Sequence, residues 1–103
     1  GSNVIENLSD IAPDLARYII EFAFGQIYER PGLSLQEREL LTLSSLLTAG
    51  GCEAQLQVHI NAALHVGIKE EKIIEAFLHC IPYTGFPKVL NAVAVAGQIF
   101  SGK

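Results

Sequence analysis

The sequence predicts an all-α fold, a single-domain bundle of about five helices, and three features of the chain favour this class. Apolar residues recur three and four positions apart in successive segments. No stretch alternates apolar and polar residues for long enough to form a strand. Proline and glycine clusters separate the periodic segments, and a length of 103 residues suits a single domain.

The first helix is expected to be capped by Asp10, with Pro13 in its first turn. Its apolar residues continue to about Tyr28, and the Arg-Pro-Gly segment at 30–32 then breaks it. Residues 1 and 2, Gly-Ser, match the remnant of a cleaved expression tag, so the expected domain spans residues 3–103.

The second helix has the clearest start in the chain. Ser34 and Glu37 form a capping box, in which the hydroxyl accepts from a free amide and the carboxylate reaches back. The helix is expected to run to Thr48, because the two glycines at 50–51 stop it.

Three further helices are expected over about 52–67, 69–81 and 87–100. Gly67 is suited to the residue that ends the first of these. Pro82 should end or kink the next, because proline lacks an amide donor and clashes with the preceding turn.

The composition restricts the classes of partner. Half of the residues are hydrophobic and 17% are charged, which leaves apolar surface on so small a domain. No window has the roughly 18 apolar residues of a membrane span, so we expect a homo-oligomer. The net charge is −4 without any basic cluster, which excludes nucleic acid and a membrane surface as partners. Two cysteines make no disulfide scaffold, and a cytoplasmic location is expected.

One stripe of the third helix carries groups that could perform chemistry. Cys52, Gln55 and His59 lie three and four residues apart, which stacks them on one face. A histidine in this setting is a general base, a metal ligand or a hydrogen-bonded interior residue. No pair of residues has a recognised metal-ligand spacing, so no metal is expected.

Glu39 is the second candidate, because it falls at helical spacing among Leu35, Leu43 and Leu46. A carboxylate on that stripe is either desolvated, and then a candidate base, or extended to a solvated rim. The third cluster is His79, Cys80 and Tyr83 at the end of the fourth helix, where a proline kink often forms a pocket wall. Cys80 there is a buried small residue or a nucleophile.

Four segments together carry a resemblance to a known family. They are LSLQERELLTL at 33–43, QLQVHINAALHVG at 55–67, KEEKIIE at 69–75 and YTGFP at 83–87. In this order and spacing the chain resembles the carboxymuconolactone decarboxylase family over about residues 30–100. The resemblance implies an alkylhydroperoxidase D-like helical fold that assembles as trimers or hexamers.

The resemblance implies one of two activities. One branch removes carbon dioxide from a small lactone acid without a cofactor. The other is a thiol peroxidase, whose motif is Cys-x-x-Cys and a histidine, with three residues between the second cysteine and the histidine, and a glutamate one helix earlier. Cys52 matches the first cysteine and His59 the histidine, but Gln55 occupies the position of the second cysteine. Glu39 lies one position from the family glutamate, a shift that the extra glycine at 50–51 absorbs.

Because glutamine cannot resolve a disulfide, the chain is more similar to the decarboxylase branch. His59 is then expected as the acid or base, with Glu39 and Cys52 as further catalytic candidates. Gln55, His79 and Tyr83 are the expected substrate-binding residues, with a small molecule as substrate and no cofactor. The alternatives are a peroxidase that uses Cys52, with Cys80 as a distant partner, and a non-catalytic oligomeric protein.

Overall fold

A computed structural model describes the backbone of residues 2–102 and the side chains of residues 7–102. The all-α prediction is confirmed, and no strand occurs within the described residues. The α-helices and the π-helix are α1 (Ser2–Ile11), α2 (Pro13–Tyr18), π1 (Ile19–Ile27), α3 (Leu35–Ala49), α4 (Glu53–His65), α5 (Glu70–His79), α6 (Ile81–Thr84) and α7 (Phe86–Phe100). Of the expected tag remnant, residue 1 lies outside the described residues and Ser2 begins α1.

The described residues form two compact units, one ending at Ser34 and the other beginning at Leu35. The first unit corrects the prediction of one helix that starts at Asp10. Asp10 lies inside α1, and a break at Ala12 (φ −142°, ψ 75°) separates α1 from α2. An extended residue before Pro13 is expected, because the proline ring disfavours the helical conformation there.

The segment after α2 continues as a π-helix. Its last hydrogen bond runs from the amide of Tyr28 to the carbonyl of Ala23, at 2.9 Å, a separation of five residues rather than four. The apolar periodicity of the sequence does not distinguish this ladder from an α-helix. The predicted end near Tyr28 agrees with the structure.

The second unit begins with an antiparallel pair of helices, α3 and α4. The start of α3 at Leu35, directly after Ser34, agrees with the predicted capping box. Gly50 and Gly51 make the connection with φ values of 78° and 69°. These left-handed conformations favour glycine, because a Cβ would clash with the backbone, and they allow α4 to fold back against α3.

The fourth predicted helix is divided into two helices in the structure. α5 ends at His79, and the single turn α6 carries Pro82 near its start. The predicted break at this proline is therefore observed as a change from one helix to the next. Gly85, with φ 99°, ends α6, and α7 begins at Phe86.

The core of the second unit lies where α4 packs between α3 and α7, with α5 completing the bundle. Its fully buried large side chains come from three of these helices. They are Leu43, Leu47, Leu56, Ile60, Ile73 and Phe77. Leu35, which the sequence places on the inward stripe of α3, is 49% exposed instead, because it occupies the first turn. Within the part of the chain that the structure describes, no helix is long and apolar enough to cross a membrane.

Phe77 is predicted to be a principal stabilising residue of the second unit. It is 0% exposed, and its neighbour Leu78 is 45% exposed on the same helix. Phe77→Ala removes a buried ring and leaves a cavity, so the free energy of unfolding should fall by about 3–5 kcal/mol. Leu78→Ala is the matched control, with an expected loss of about 1 kcal/mol or less. Urea unfolding followed by circular dichroism measures both, and equal losses would contradict this placement of the core.

Candidate functional site

Glu39 lies inside the second unit and not at a solvated rim. It is 4% exposed, on the same face of α3 as Leu43 and Leu47. Burial of a carboxylate without a partner is strongly unfavourable, because the charge loses its hydration. The residue therefore requires a hydrogen-bond donor within the fold.

His59 provides that donor from α4. Its Nδ1 atom lies 3.1 Å from Oε1 of Glu39, and the two side chains are 20% and 6% exposed. With the carboxylate ionised, the Nδ1–H donates to Glu39, and the hydrogen bond holds the imidazole in one orientation. The antiparallel packing of α3 and α4 brings the two residues together from positions twenty residues apart.

The Nε2 atom of His59 takes no part in this hydrogen bond. Among the residues with described side chains, the structure records no further hydrogen-bond partner for the ring. Because the side chain is partly exposed, Nε2 can exchange a proton with a bound molecule. The Nδ1–H is present in the neutral and in the cationic ring, so this exchange leaves the contact with Glu39 intact. The pair is therefore suited to general acid–base chemistry.

The other residues of the α4 stripe lie toward its N-terminus. Cys52 is the N-cap residue, is half-buried, and its Sγ donates to the carbonyl of Gly50 at 3.4 Å. Gln55, one turn before His59, is exposed. Over residues 7–102, where side chains are described, neither makes a recorded hydrogen bond to the Glu39–His59 pair.

His79 and Tyr83 form a second pair at the junction of α5 and α6. Their ring centroids lie 5.6 Å apart with an interplanar angle of 45°. Both side chains are exposed, Tyr83 to 79%. The adjacent Cys80 is a buried free thiol that donates to the carbonyl of Ala76 at 3.4 Å, as a structural cysteine does.

A cluster of polar contacts links α3, α6 and α7, and the sequence gives little sign of it. The hydroxyls of Thr48 and Thr84 lie 3.1 Å apart, and Lys88 Nζ donates to the carbonyl of Thr48 at 3.0 Å. The stem of Lys88 crosses Gly50, where an added Cβ would lie 3.1 Å from Cε. These contacts join the end of α3, the connection at Gly50, the end of α6 and the start of α7. The glycine at position 50, where the Lys88 side chain passes close to the backbone, is the one sign of this cluster in the sequence.

Comparison with known proteins gives one family and several relatives. The model of the carboxymuconolactone decarboxylase family matches residues 13–98. The chain is 35% identical to a 4-carboxymuconolactone decarboxylase of Acinetobacter baylyi, over 93% of this chain and 71% of the relative. It is also 35% identical to a nitrosuccinic acid decarboxylase of Metarhizium robertsii, over 92% of this chain and 68% of the relative. An uncharacterized 15.0 kDa protein of Paracoccus denitrificans is 25% identical, over 91% of this chain and 71% of the relative.

The Glu39–His59 contact is predicted to show as an energetic coupling. His59→Ala leaves a buried carboxylate without its donor, so the free energy of unfolding should fall by roughly 2–3 kcal/mol. Glu39→Leu added to that variant removes the isolated charge and should restore most of the loss. The control His65→Ala, at an exposed position of the same helix, should change stability by less than about 1 kcal/mol. Chemical denaturation measures all of these, and additive losses from His59 and Glu39 would contradict the coupling.

Proposed function

The chain belongs to the carboxymuconolactone decarboxylase family, and on that premise we propose that it catalyses the cofactor-free decarboxylation of a small carboxylic acid. The observation that carries the proposal is the buried Glu39 carboxylate 3.1 Å from Nδ1 of His59. Two decarboxylases among its relatives support the reaction class. Their names both specify an acid substrate, and a lactone acid or a related small acid is the proposed substrate class.

The proposed reaction has one bond to break and one to form. The bond between the carboxylate carbon and the adjacent carbon breaks, carbon dioxide leaves, and the electron pair passes into the neighbouring carbonyl as an enolate. His59, protonated at Nε2, then gives its proton to the carbon that lost the carboxylate. Glu39 does not touch the substrate in this scheme. It holds the imidazole in place before and after the proton is given, so its role is positioning.

We propose Gln55, His79 and Tyr83 as the substrate-binding residues. Gln55 lies four residues before His59 on α4, so both side chains project from the same face. Its amide can donate to the developing enolate oxygen or to a carboxylate. His79 and Tyr83 form a rim of exposed polar rings at the junction of α5 and α6, with the imidazole and the phenol as further hydrogen-bonding groups.

A peroxidase that uses Cys52 is the second candidate, and one observation favours it. Cys52 is a half-buried free thiol at the N-cap of α4, and partial exposure is typical of a reactive cysteine. Gln55 opposes this function, because the neighbouring thiol of the family motif is replaced. Cys80 as a resolving partner is buried, so its attack on an oxidised Cys52 would require the surrounding core to open.

We further propose that the protein acts as a homo-oligomer in a reducing cytoplasm. Two free cysteines agree with that compartment. Many large apolar side chains are exposed on the chain, among them Phe22, Phe86 and Leu90, and exposed apolar surface of this extent is typical of a surface covered in an assembly.

The decarboxylase proposal predicts turnover of 4-carboxymuconolactone. The purified protein should release carbon dioxide from it, and His59→Ala should lower kcat by roughly 10²–10⁴-fold, because the proton donor is lost. His65→Ala, on the same helix and exposed, is the matched control and should turn over at the wild-type rate. Loss of the lactone absorbance and carbon dioxide release are the measurements. Equal rates for wild type and His59→Ala would contradict the role of His59.

The peroxidase alternative makes a separate prediction. If the decarboxylase proposal is right, Cys52→Ser should keep wild-type consumption of an organic hydroperoxide in the presence of a dithiol reductant, because Cys52 performs no redox step. Cys80→Ser provides a comparison for the second thiol. A loss of hydroperoxide consumption in Cys52→Ser alone would favour the peroxidase.

A further inference from the structure

Gln36, in the first turn of α3, contacts the far end of α4. Its Nε2 atom donates to the carbonyl of Val66 at 2.8 Å, between positions 30 residues apart in the chain. Val66 is the C-cap residue of α4, and the last carbonyls of a helix have no partner within it. The side chain of Gln36 therefore satisfies a terminal carbonyl of α4 from the helix that carries Glu39.

The backbone after α4 leaves room for this contact. Gly67 has a φ of 94°, and a Cβ added there would lie 3.3 Å from Nε2 of Gln36. A side chain at position 67 would therefore crowd the amide. The same arrangement occurs at the other end of the helix pair, where Lys88 crosses Gly50 and donates to the carbonyl of Thr48.

The Gln36 contact lies along the same seam as the proposed acid–base pair. Gln36 precedes Glu39 by three residues and shares a face of α3 with it. Val66 follows His59 by seven residues, which is two helical turns and again one face. Along α3, the rise from Gln36 to Glu39 is about 4.5 Å. The hydrogen bond therefore joins the two helices one turn of α3 away from the contact between Glu39 and His59.

The buried stripe of α3 ends at Glu39. Its members are Glu39, Leu43 and Leu47, and every residue of α3 before Glu39 is exposed or half-buried. The two leucines hold Glu39 on the side that leads toward the connection at 50–51. On its other side α3 has no buried apolar residue, so polar contacts position the first turn. The hydrogen bond from Gln36 is a polar contact that crosses to α4.

We propose that Gln36 is a positioning residue for the decarboxylation and acts on His59 through Glu39, an inference that rests on the proposed function. Its hydrogen bond holds the first turn of α3 against α4, and with it the distance between the carboxylate and the imidazole. Without the donor, that turn shifts and the ring loses its fixed orientation toward the substrate. Misplacement of a reacting group by about 1 Å lowers a rate by up to about 10²-fold. Because the contact is exposed to solvent, it contributes less to global stability than to this local geometry.

Gln36→Glu tests the proposal, because it keeps the length of the side chain and removes the donor. A carboxylate in the first turn favours α3 itself through the helix dipole, so a loss of rate would not come from fraying of that helix. We expect kcat to fall roughly tenfold while KM stays within about twofold. Gln57→Glu is the matched control, since it places the same charge at an exposed glutamine of α4, and it should keep the wild-type kcat. An unchanged kcat in Gln36→Glu would overturn the proposal.

Gln36→Lys is the rescue variant. Its ammonium can donate to the carbonyl of Val66, as Lys88 does to the carbonyl of Thr48, and a cation is favoured at the C-terminus of α4. This variant should turn over at close to the wild-type rate. A rate as low as that of Gln36→Glu would contradict the role of the donor.

Nitrogen-15 NMR of His59 gives a readout that does not depend on turnover. The neutral ring of the wild type should carry its proton on Nδ1. In folded Gln36→Glu, at the same pH, that signal should give way to a mixture of tautomers, because Glu39 no longer keeps its distance from the ring. A merely structural role would lower the free energy of unfolding and leave the signal of the folded protein unchanged, and that result would overturn the proposal.

The two measurements separate the failure of this inference from the failure of the proposed function. If the wild type turns over no acid, the decarboxylase function fails, while the nitrogen-15 spectra of wild type and Gln36→Glu still decide whether Gln36 positions the ring. If the wild type is active and both kcat and the spectra are unchanged in Gln36→Glu, the function stands and the positioning role is wrong.

Discussion

The candidate site of the second unit depends on one buried carboxylate and its hydrogen-bond donor. Glu39 occupies a position on α3 that would otherwise take an apolar residue, among Leu43 and Leu47. Its carboxylate is tolerated because Nδ1 of His59 lies 3.1 Å away. Replacement of the pair by apolar residues would leave a bundle of similar stability. The cost of burying the pair is therefore better explained by function than by folding.

The chemistry of the site follows from this constraint. In the proposed function, the buried Glu39 carboxylate orients the ring of His59 through Nδ1 and leaves Nε2 for the substrate. The helix pair α3–α4 provides the rigidity, because the left-handed glycines at 50 and 51 make a short connection. The polar contacts of Lys88 and Thr84 with Thr48 then join α7 to the same connection. The site is thus built on packed helices, where small displacements of the ring are resisted.

Much of the fold could be predicted from the sequence, because local signals specify where helices begin and end. Ser34, the paired glycines and Pro82 mark boundaries that the structure shows. The π-helix could not be predicted, since its apolar spacing is that of an ordinary helix. The predicted start of the first helix is too late, because Asp10 is a good cap residue in a position that α1 already occupies. For the site, periodicity placed Glu39 on the apolar stripe of α3 but left open whether its carboxylate is buried or extends to a solvated rim. Its contact with His59 depends on how α3 and α4 pack. Single-sequence patterns do not specify that packing.

The protonation of His59 is the most direct test of the account, because every role proposed for the pair depends on Glu39 accepting from Nδ1. Nitrogen-15 NMR of labelled protein, at a pH where the ring is neutral, distinguishes the two tautomers. The account predicts a proton on Nδ1 and none on Nε2, and it predicts that Glu39→Leu shifts the ring to the other tautomer or to a mixture. A neutral His59 with its proton on Nε2 in the wild type would contradict it, since Nδ1 would then accept from a protonated Glu39.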